Sequence, residues 1–502
     1  MSEQRTSAGP VTSGPVPAAA SAARRSALTL AVIVTCQLMV VLDASVVNIA
    51  LPDIRTALHF SDTSLSWVIS AYTLTFGGLL LLGGRAGDIL GRRRVFLSGL
   101  ALFTAASLAG GLATSPAWLL TARAIQGVGA AIASPNTLSL IMSNFEGNER
   151  TRAIGIYSAT SAAGGSIGLI AGGMLTDWVS WRWILFINVP IGLALLVLGP
   201  RHIREPERHP GRFDLSGAIL STSGMSLLVY GFIRAASDGW RDTGTTLAFV
   251  AAILVLTGFI LREMRAAQPI LPLRLLRHRN RAGSYLNMLL LPAAMFGMFY
   301  FATLFLQDVK GFSPLRNGIA FLPMTLVLFV TARIVPRLLP RTGAKPLMII
   351  GGVLVVTGML WLSQLSDTTS YSGGVLGPIM LFGVGAAMSF VSMSVTILSE
   401  VARPDAGAAS GMLQTMQQIG GSLGVAVLTT VFASARPHHP VLHPLAATAS
   451  AMGDAMSAAA IFCAVALVVA SLVITTGKRG TSSGSGPAAQ EAPAQPQPEP
   501  VG

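Results

Sequence analysis

Long apolar runs recur from one end of the chain to the other, and no other feature limits its fold so tightly. A hydrocarbon core about 30 Å thick is crossed by roughly 17 to 25 helical residues, and fourteen segments of about that length lie between 28-51 and 452-475. Only 11% of the 502 residues are charged while 52% are hydrophobic, against about 25% charged in a soluble domain. The solvent for most of this surface is therefore lipid, which excludes an ordinary soluble enzyme and makes an all-α integral membrane protein the expected fold class. Pro135, Pro292, Pro323 and Pro378 interrupt the runs, as bundled membrane helices tolerate.

The formal net charge of +13 comes from short clusters between spans, not from a basic face interleaved with aromatics. Nucleic acid is accordingly not expected as a partner. With the N-terminus placed in the cytosol, 26 of the 34 basic residues fall on the inner side and 7 on the outer. That asymmetry places both termini in the cytosol. The ratio of 31 Arg to 3 Lys, with abundant Ala and Gly, points to a GC-rich bacterial genome and so to a bacterial cytoplasmic membrane. Cys36 and Cys463 sit inside apolar runs, so neither a disulfide framework nor a cysteine metal site is expected. All seven histidines lie in loops, and His438-His439 reads as polar external loop. No Gly-x-x-x-x-Gly-Lys-Ser/Thr loop is present, so ATP is not the expected drive.

An internal repeat defines the organisation. Gly155, Gly164, Gly165, Ser166 and Gly168 of span five recur 256 residues later as Gly411, Gly420, Gly421, Ser422 and Gly424 of span thirteen. A second half therefore begins at span nine, and the layout is six, two, six. The expected segments are a disordered cytosolic tail 1-26, a six-helix bundle 27-199, two inserted helices with linkers 200-264, a second six-helix bundle 265-476 and a disordered cytosolic tail 477-502. Two repeated bundles suit a transporter that rocks about a central site.

Four motifs carry the mechanism. The loop after span two contains Gly84, Asp88 and Gly91 followed by Arg92, Arg93 and Arg94. Glycines permit a tight turn, arginines anchor at anionic headgroups, and a carboxylate can meet a helix N-terminus or an arginine. Span one carries Leu42-Asp43-Ala44-Ser45-Val46-Val47-Asn48, and a carboxylate at that depth must face a cavity or a partner. Span four carries Arg123-Ala124-Ile125-Gln126-Gly127. At about 1.5 Å per residue, Asp43 and Arg123 lie roughly 12 Å and 9 Å from the outer ends of their spans, close enough in depth to pair. Pairing keeps Asp43 ionised and breaking the pair favours proton uptake; a static ion pair joining helices one and four is the alternative. Span five carries Gly155, Gly164, Gly168, Gly172 and Gly173, a spacing that also serves close helix packing.

These motifs resemble the signatures of the major facilitator superfamily, and in particular its fourteen-helix drug:proton antiporters of actinomycete type. The resemblance covers residues 28 to 475 and extends to Trp181-Arg182-Trp183 with Asn188-Val189-Pro190, to Phe213-Asp214, to Gln307 with Gly311 and Pro314, and to Gln417-Gln418-Ile419-Gly420-Gly421. It departs from the family at Leu169, where the antiporter motif places a proline. The resemblance implies a major facilitator fold and a conformational latch built on Gly84, Asp88, Gly91, Arg92 and Arg93, with Arg150, Arg152 or the start of span thirteen near Gly407 as the partner of Asp88. It also implies proton coupling by Asp43 and Arg123, and export rather than import from the span-five motif. Gln37, Asn48, Tyr72, Gln126, Asn136, Phe296, Tyr300, Gln414, Gln417 and Gln418 are the side chains expected to line a substrate cavity.

The expected function is efflux of a small amphipathic drug or antibiotic in exchange for protons, by a monomer with no cofactor, no metal and no enzymatic activity, conferring resistance or self-resistance in a producer. A single deep carboxylate suits neutral or monovalent cationic substrates. A metabolite transporter of the same fold, or a sensor that binds without transporting, is the alternative.

Overall fold

With no water inside a bilayer, each backbone N–H and C=O must be satisfied within its own segment, and helix is the local solution for runs of this length. The computed structural model describes residues 16–206, 214–266, 276–398, 406–436 and 443–475, and among them there is helix and no strand. In chain order the helices are α1 (Val16–Leu58), α2 (Trp67–Leu90), α3 (Arg92–Gly111), α4 (Pro116–Asn144), α5 (Gly147–Trp178), α6 (Trp183–Phe186), α7 (Asn188–His202), α8 (Leu215–Asp238), α9 (Thr243–Arg265), α10 (Arg279–Leu304), α11 (Pro314–Ala320), α12 (Leu322–Thr342), α13 (Ala344–Leu362), α14 (Leu376–Leu398), α15 (Ala406–Ala435) and α16 (Pro444–Leu472).

The sequence sets these boundaries. Ser115 and Ser313 each cap the helix that follows, accepting from Trp118 N and Arg316 N, with proline at the first helical position. Asp242 caps α9 by accepting from Thr245 N. The Arg234 guanidinium, with the Thr245 N–H, holds the Asp242 carboxyl below the usual carboxylate range. Gly91, at φ 109°, takes the turn between α2 and α3 that a side-chain-bearing residue resists.

Among the described residues twelve helical stretches, with α6–α7 and α11–α12 each forming one, are long and apolar enough to cross a membrane. The expectation of fourteen spans also includes α4 and α5, helices of 29 and 32 residues and so long enough to cross; α4 falls short in apolarity, and the middle of α5 lies partly outside the described residues. In α4 the deficit comes partly from Arg123, Gln126 and Asn136, all buried in the protein. Of the expected N-terminal tail, residues 1–15 lie outside the described residues, whereas 16–26 extend α1 as helix. Five alanines between positions 18 and 23 account for that extension by propensity. The expected C-terminal tail and His438-His439 fall outside the described residues.

In the first half α4 packs on α2 and α3, and α1 on α5; in the second half α14 packs on α12 and α13, and α10 on α15. Glycines place these contacts. A Cβ at Gly164 or Gly168 would crowd Val41 or Ser45 of α1, and one at Gly420 or Gly424 would run into the main chain of Leu289 or Ala293 of α10. The repeat extends further than the sequence motif shows: Gly127 and Gly129 of α4 abut α2 and α3, as Gly383 and Gly385, again 256 residues later, abut α12 and α13. Helices α8 and α9 pair with each other, and α8 lies against both α2 and α15. The two halves meet through α2 with α15, α5 with α11, and α1 with α10.

Candidate functional site

Asp43 lies inside the first bundle, where α1, α3, α4 and α7 converge. Its side chain is 0% exposed and that of Arg123 2%. Arg123 Nη1 donates to Asp43 Oδ2 at 2.6 Å and to Gln126 Oε1 at 2.7 Å, while Arg123 Nε donates to the Val68 carbonyl at 3.3 Å. The Tyr72 ring lies under the guanidinium, 4.3 Å from its carbon. Asp43 Oδ1 accepts from Gln126 Nε2 at 2.7 Å and from Asn188 Nδ2 at 3.1 Å. Both amides also reach Ser107 Oγ, at 3.2 and 2.9 Å. Removing two charges from water costs several kcal/mol per ion unless each is paired and its remaining hydrogen-bonding capacity is used. Three donors on Asp43 and four interactions around Arg123 meet that condition. Ser107 and Asn188 are the members that the sequence analysis did not assign to the site; a polar side chain in an otherwise apolar span was the available signal.

The repeat does not reproduce this site. The position 256 residues beyond Arg123 is Ile379, and α10, the counterpart of α1, contains no acidic residue.

At one end of the molecule is the Gly84–Arg94 loop. Asp88 is paired there with Arg92, four residues on, whose Nη2 lies 3.0 Å away and whose Nη1 donates to the Ser139 carbonyl at 3.3 Å. Neither Arg150 nor Arg152, two of the expected partners, is the one seen, and the side chains near Gly407, the third, lie outside the described residues. Arg150 Nε instead donates to the Phe145 carbonyl at 2.8 Å, and Arg152 is exposed. The physical reason is proximity: residues four apart on one face meet across the short turn at Gly91. Glu205 was not foreseen; it accepts from the backbone N–H groups of Arg93 and Arg94, at 3.0 and 3.3 Å, at the N-terminus of α3. Gly84 approaches Pro135, and Asn136 Nδ2 donates to the Gly83 carbonyl at 3.2 Å, locking α2 to α4. Further along α2, Thr415 Oγ1 donates to the Gly77 carbonyl at 3.0 Å, which joins α2 to α15.

The opposite end joins the two halves by charge. Arg55, at the end of α1, is 3.1 Å from Asp62 and 2.9 Å from Asp308, which lies in the π turn (Phe305–Val309) that ends α10. Arg436, beyond α15, pairs with Asp62. The order Asp308, Arg55, Asp62, Arg436 alternates in sign and crosses between halves twice. Tyr300 donates to the Asp62 carbonyl at 3.4 Å, and Gln307 Nε2 to the Ile49 carbonyl at 2.8 Å. Gly173 of α5 packs on the main chain of Pro314 and Leu315, and Gly318 of α11 on the Leu169 carbonyl.

The residues expected to line a cavity are distributed, not gathered. Tyr72 and Gln126 belong to the Asp43 cluster, Asn136 to the α2–α4 contact and Tyr300 to the charged end. Gln37 accepts from Ser134 Oγ at 3.4 Å, and Asn48 donates to the Ala44 carbonyl of its own helix at 2.9 Å. Phe296 covers Gly421, Gln418 covers Gly77, Gln417 donates to Met288 Sδ at 3.7 Å and Gln414 is exposed. Amides with little water available take nearby partners, so polarity in a span does not by itself report a ligand. A cavity of about 20 Å³ between α10, α13, α14 and α16, lined by Asn287, Met348, Ser389 and Cys463 among others, has room for one water and contains none of these residues. Among the described residues no group of His, Cys, Asp or Glu could hold a metal ion.

Comparison with known proteins gives this architecture its family. The sequence profile of the Major Facilitator Superfamily matches residues 33–425. The chain is 40% identical to the cephamycin export protein CmcT of Amycolatopsis lactamdurans, over 92% of this chain and 95% of that one. It is 44% identical to the puromycin resistance protein pur8 of Streptomyces alboniger, over 80% and 81%. Among solved structures, a bacterial homologue of the human lysosomal transporter Spinster covers 92% of this chain and 98% of its own at a TM-score of 0.62 and 15% identity. The xylose transporter XylE of E. coli covers 90% and 97% at a TM-score of 0.60 and 15% identity. The chain is a multi-pass membrane protein of the major facilitator superfamily, and its relatives include actinomycete antibiotic export and resistance transporters.

Proposed function

We propose that this protein exports a small amphipathic antibiotic across a bacterial cytoplasmic membrane in exchange for protons, as a monomer and a transporter rather than an enzyme, without a cofactor. The observation that carries the reading is the Asp43–Arg123 pair at 2.6 Å, buried in one bundle and absent from the repeat. A buried carboxylate with a single cationic partner has two self-consistent states, ionised and paired or protonated and released. The protonated state frees Arg123 and the two amides to repack, so protonation and helix arrangement are linked. A cluster built only to join helices would need neither charge, since apolar side chains do that at lower desolvation cost.

The excess of arginine in the Arg92–Arg94 loop and its neighbours supports a cytosolic position for that end. The chain Asp308, Arg55, Asp62, Arg436 would then join the halves at the outer end, which supports a state closed to the outside. The relatives' names supply the substrate class: cephamycin and puromycin, tetracenomycin C for a protein 36% identical from Streptomyces glaucescens, and lincomycin for one 34% identical from Streptomyces lincolnensis.

Expression in a sensitive bacterial host, with uptake of these four compounds followed in energised cells, tests the reading. At least one compound should accumulate several-fold less than in cells expressing Asp43→Asn, and a dication of comparable size should not be exported. Equal accumulation of all four in both strains contradicts antibiotic export and favours a metabolite transporter or a sensor.

A further inference from the structure

We propose that Asn188 is a positioning residue for the proton site, holding the Asp43 carboxylate in its ionised, Arg123-paired form and tying that form to the helical turn around Ile187 where α6 passes into α7. The inference rests on Asp43 being the group that takes up the proton, and it adds the element that registers the event.

Asn188 is 2% exposed and is the first residue of α7, separated from the end of α6 by Ile187 alone. The hydrogens around it can be assigned one by one. Ser107 Oγ donates its single hydrogen to the Leu185 carbonyl in α6 at 2.9 Å, leaving the hydroxyl as acceptor for both amides. Asn188 Nδ2 has two hydrogens, one for Ser107 Oγ at 2.9 Å and one for Asp43 Oδ1 at 3.1 Å. Gln126 Nε2 divides its two between the same atoms, and its oxygen is occupied by Arg123. Every group that touches the carboxylate is thus a donor.

A carboxylate accepts all of these bonds, whereas a carboxylic acid brings a hydrogen of its own and finds no acceptor among them. The cage therefore selects the ionised form, and protonation requires a donor to leave. Asn188 is the donor whose departure releases a helix, because its amide and the Ser107 bond to Leu185 hold adjacent positions of the α6–α7 stretch against α1 and α3. The titratable and charged groups facing Asp43 are Arg123 from α4 and Tyr72 from α2, with Cys36 of α1 beside Tyr72. None of these is a second carboxylate that could take the proton in its place.

Infrared difference titration of the purified full chain in lipid vesicles reads this directly and needs no drug. The carbonyl stretch of a protonated acid that is lost in Asp43→Asn identifies the Asp43 band. In Asn188→Leu its midpoint should move to higher pH by about one to two units, the equivalent of one hydrogen bond to a charged group. Ser107→Ala, which removes the acceptor that orients both amides, should move it the same way by less. If Asn188→Leu does not assemble, Asn188→Ala removes the same donor. An Asp43 band whose midpoint is unchanged in these variants overturns the role of Asn188 and leaves coupling at Asp43 standing. A titration in which no band depends on Asp43 overturns the coupling reading and this inference with it.

Discussion

Arg123 has much to lose, because its charge is almost wholly shielded from water and its partners are all within one cluster. Removing it leaves a buried carboxylate without its cation, which costs about 3–5 kcal/mol if the charge is retained. Taking up a proton avoids most of that cost. Arg123→Leu should therefore still reach the membrane, with drug-driven proton release falling by about tenfold or more; release at the wild-type rate would show that the pair is only structural. The sequence placed Asp43 and Arg123 at matching depth because helical rise converts residue number to distance. It did not reveal Ser107 and Asn188, since which face of a span turns inward depends on neighbours that the span itself does not specify. The same limit dispersed the expected cavity: Gln37, Asn48 and Gln417 each satisfy a local partner.

Helix contacts in this protein are placed where glycine removes a side chain. Gly424 meets the main chain of Ala293, which cannot rotate aside, whereas Gly155 of the same repeated motif has open space around it. Gly424→Val should lower the Tm in detergent by an amount equivalent to about 1–3 kcal/mol of overpacking, while Gly155→Ala leaves it unchanged or slightly raised. Equal effects at the two positions would contradict this assignment of the α10–α15 contact. The repeat was legible because small residues at a fixed offset are a packing requirement, and the α1–α5 and α10–α15 contacts follow it. The partner of Asp88 was not legible, because Arg92 competes locally with anything brought from another helix.

Taken as a whole, the molecule consists of two bundles held together at one end by opposite charges and along the flank by α2 with α15. Alternating access requires the charged end to part. Each pair there is partly exposed, so each contributes only about 0–1 kcal/mol, a strength that allows repeated opening. Arg436→Asp places like charge against Asp62 and should raise labelling of a cysteine introduced at Gln307 by an impermeant thiol reagent several-fold. Adding Asp62→Arg restores opposite charge between the halves at that pair and should bring labelling down again. Labelling unchanged by either substitution would show that these charges do not hold the end closed. The all-helical membrane architecture was readable because bilayer thickness acts on whole segments; the charged contact between the halves was not, since Arg55 and Asp308 are 253 residues apart in sequence.

The account depends most on Asp43 carrying the exchanged proton. Everted vesicles energised to an acidic interior, with cephamycin, puromycin, tetracenomycin C and lincomycin added in turn, report proton exit by dequenching of a pH-sensitive dye. Wild type should dequench with at least one of the four and Asp43→Asn with none. Dequenching by the same compound in Asp43→Asn at the wild-type rate would contradict the account and reduce the Asp43–Arg123 pair to a brace between α1 and α4.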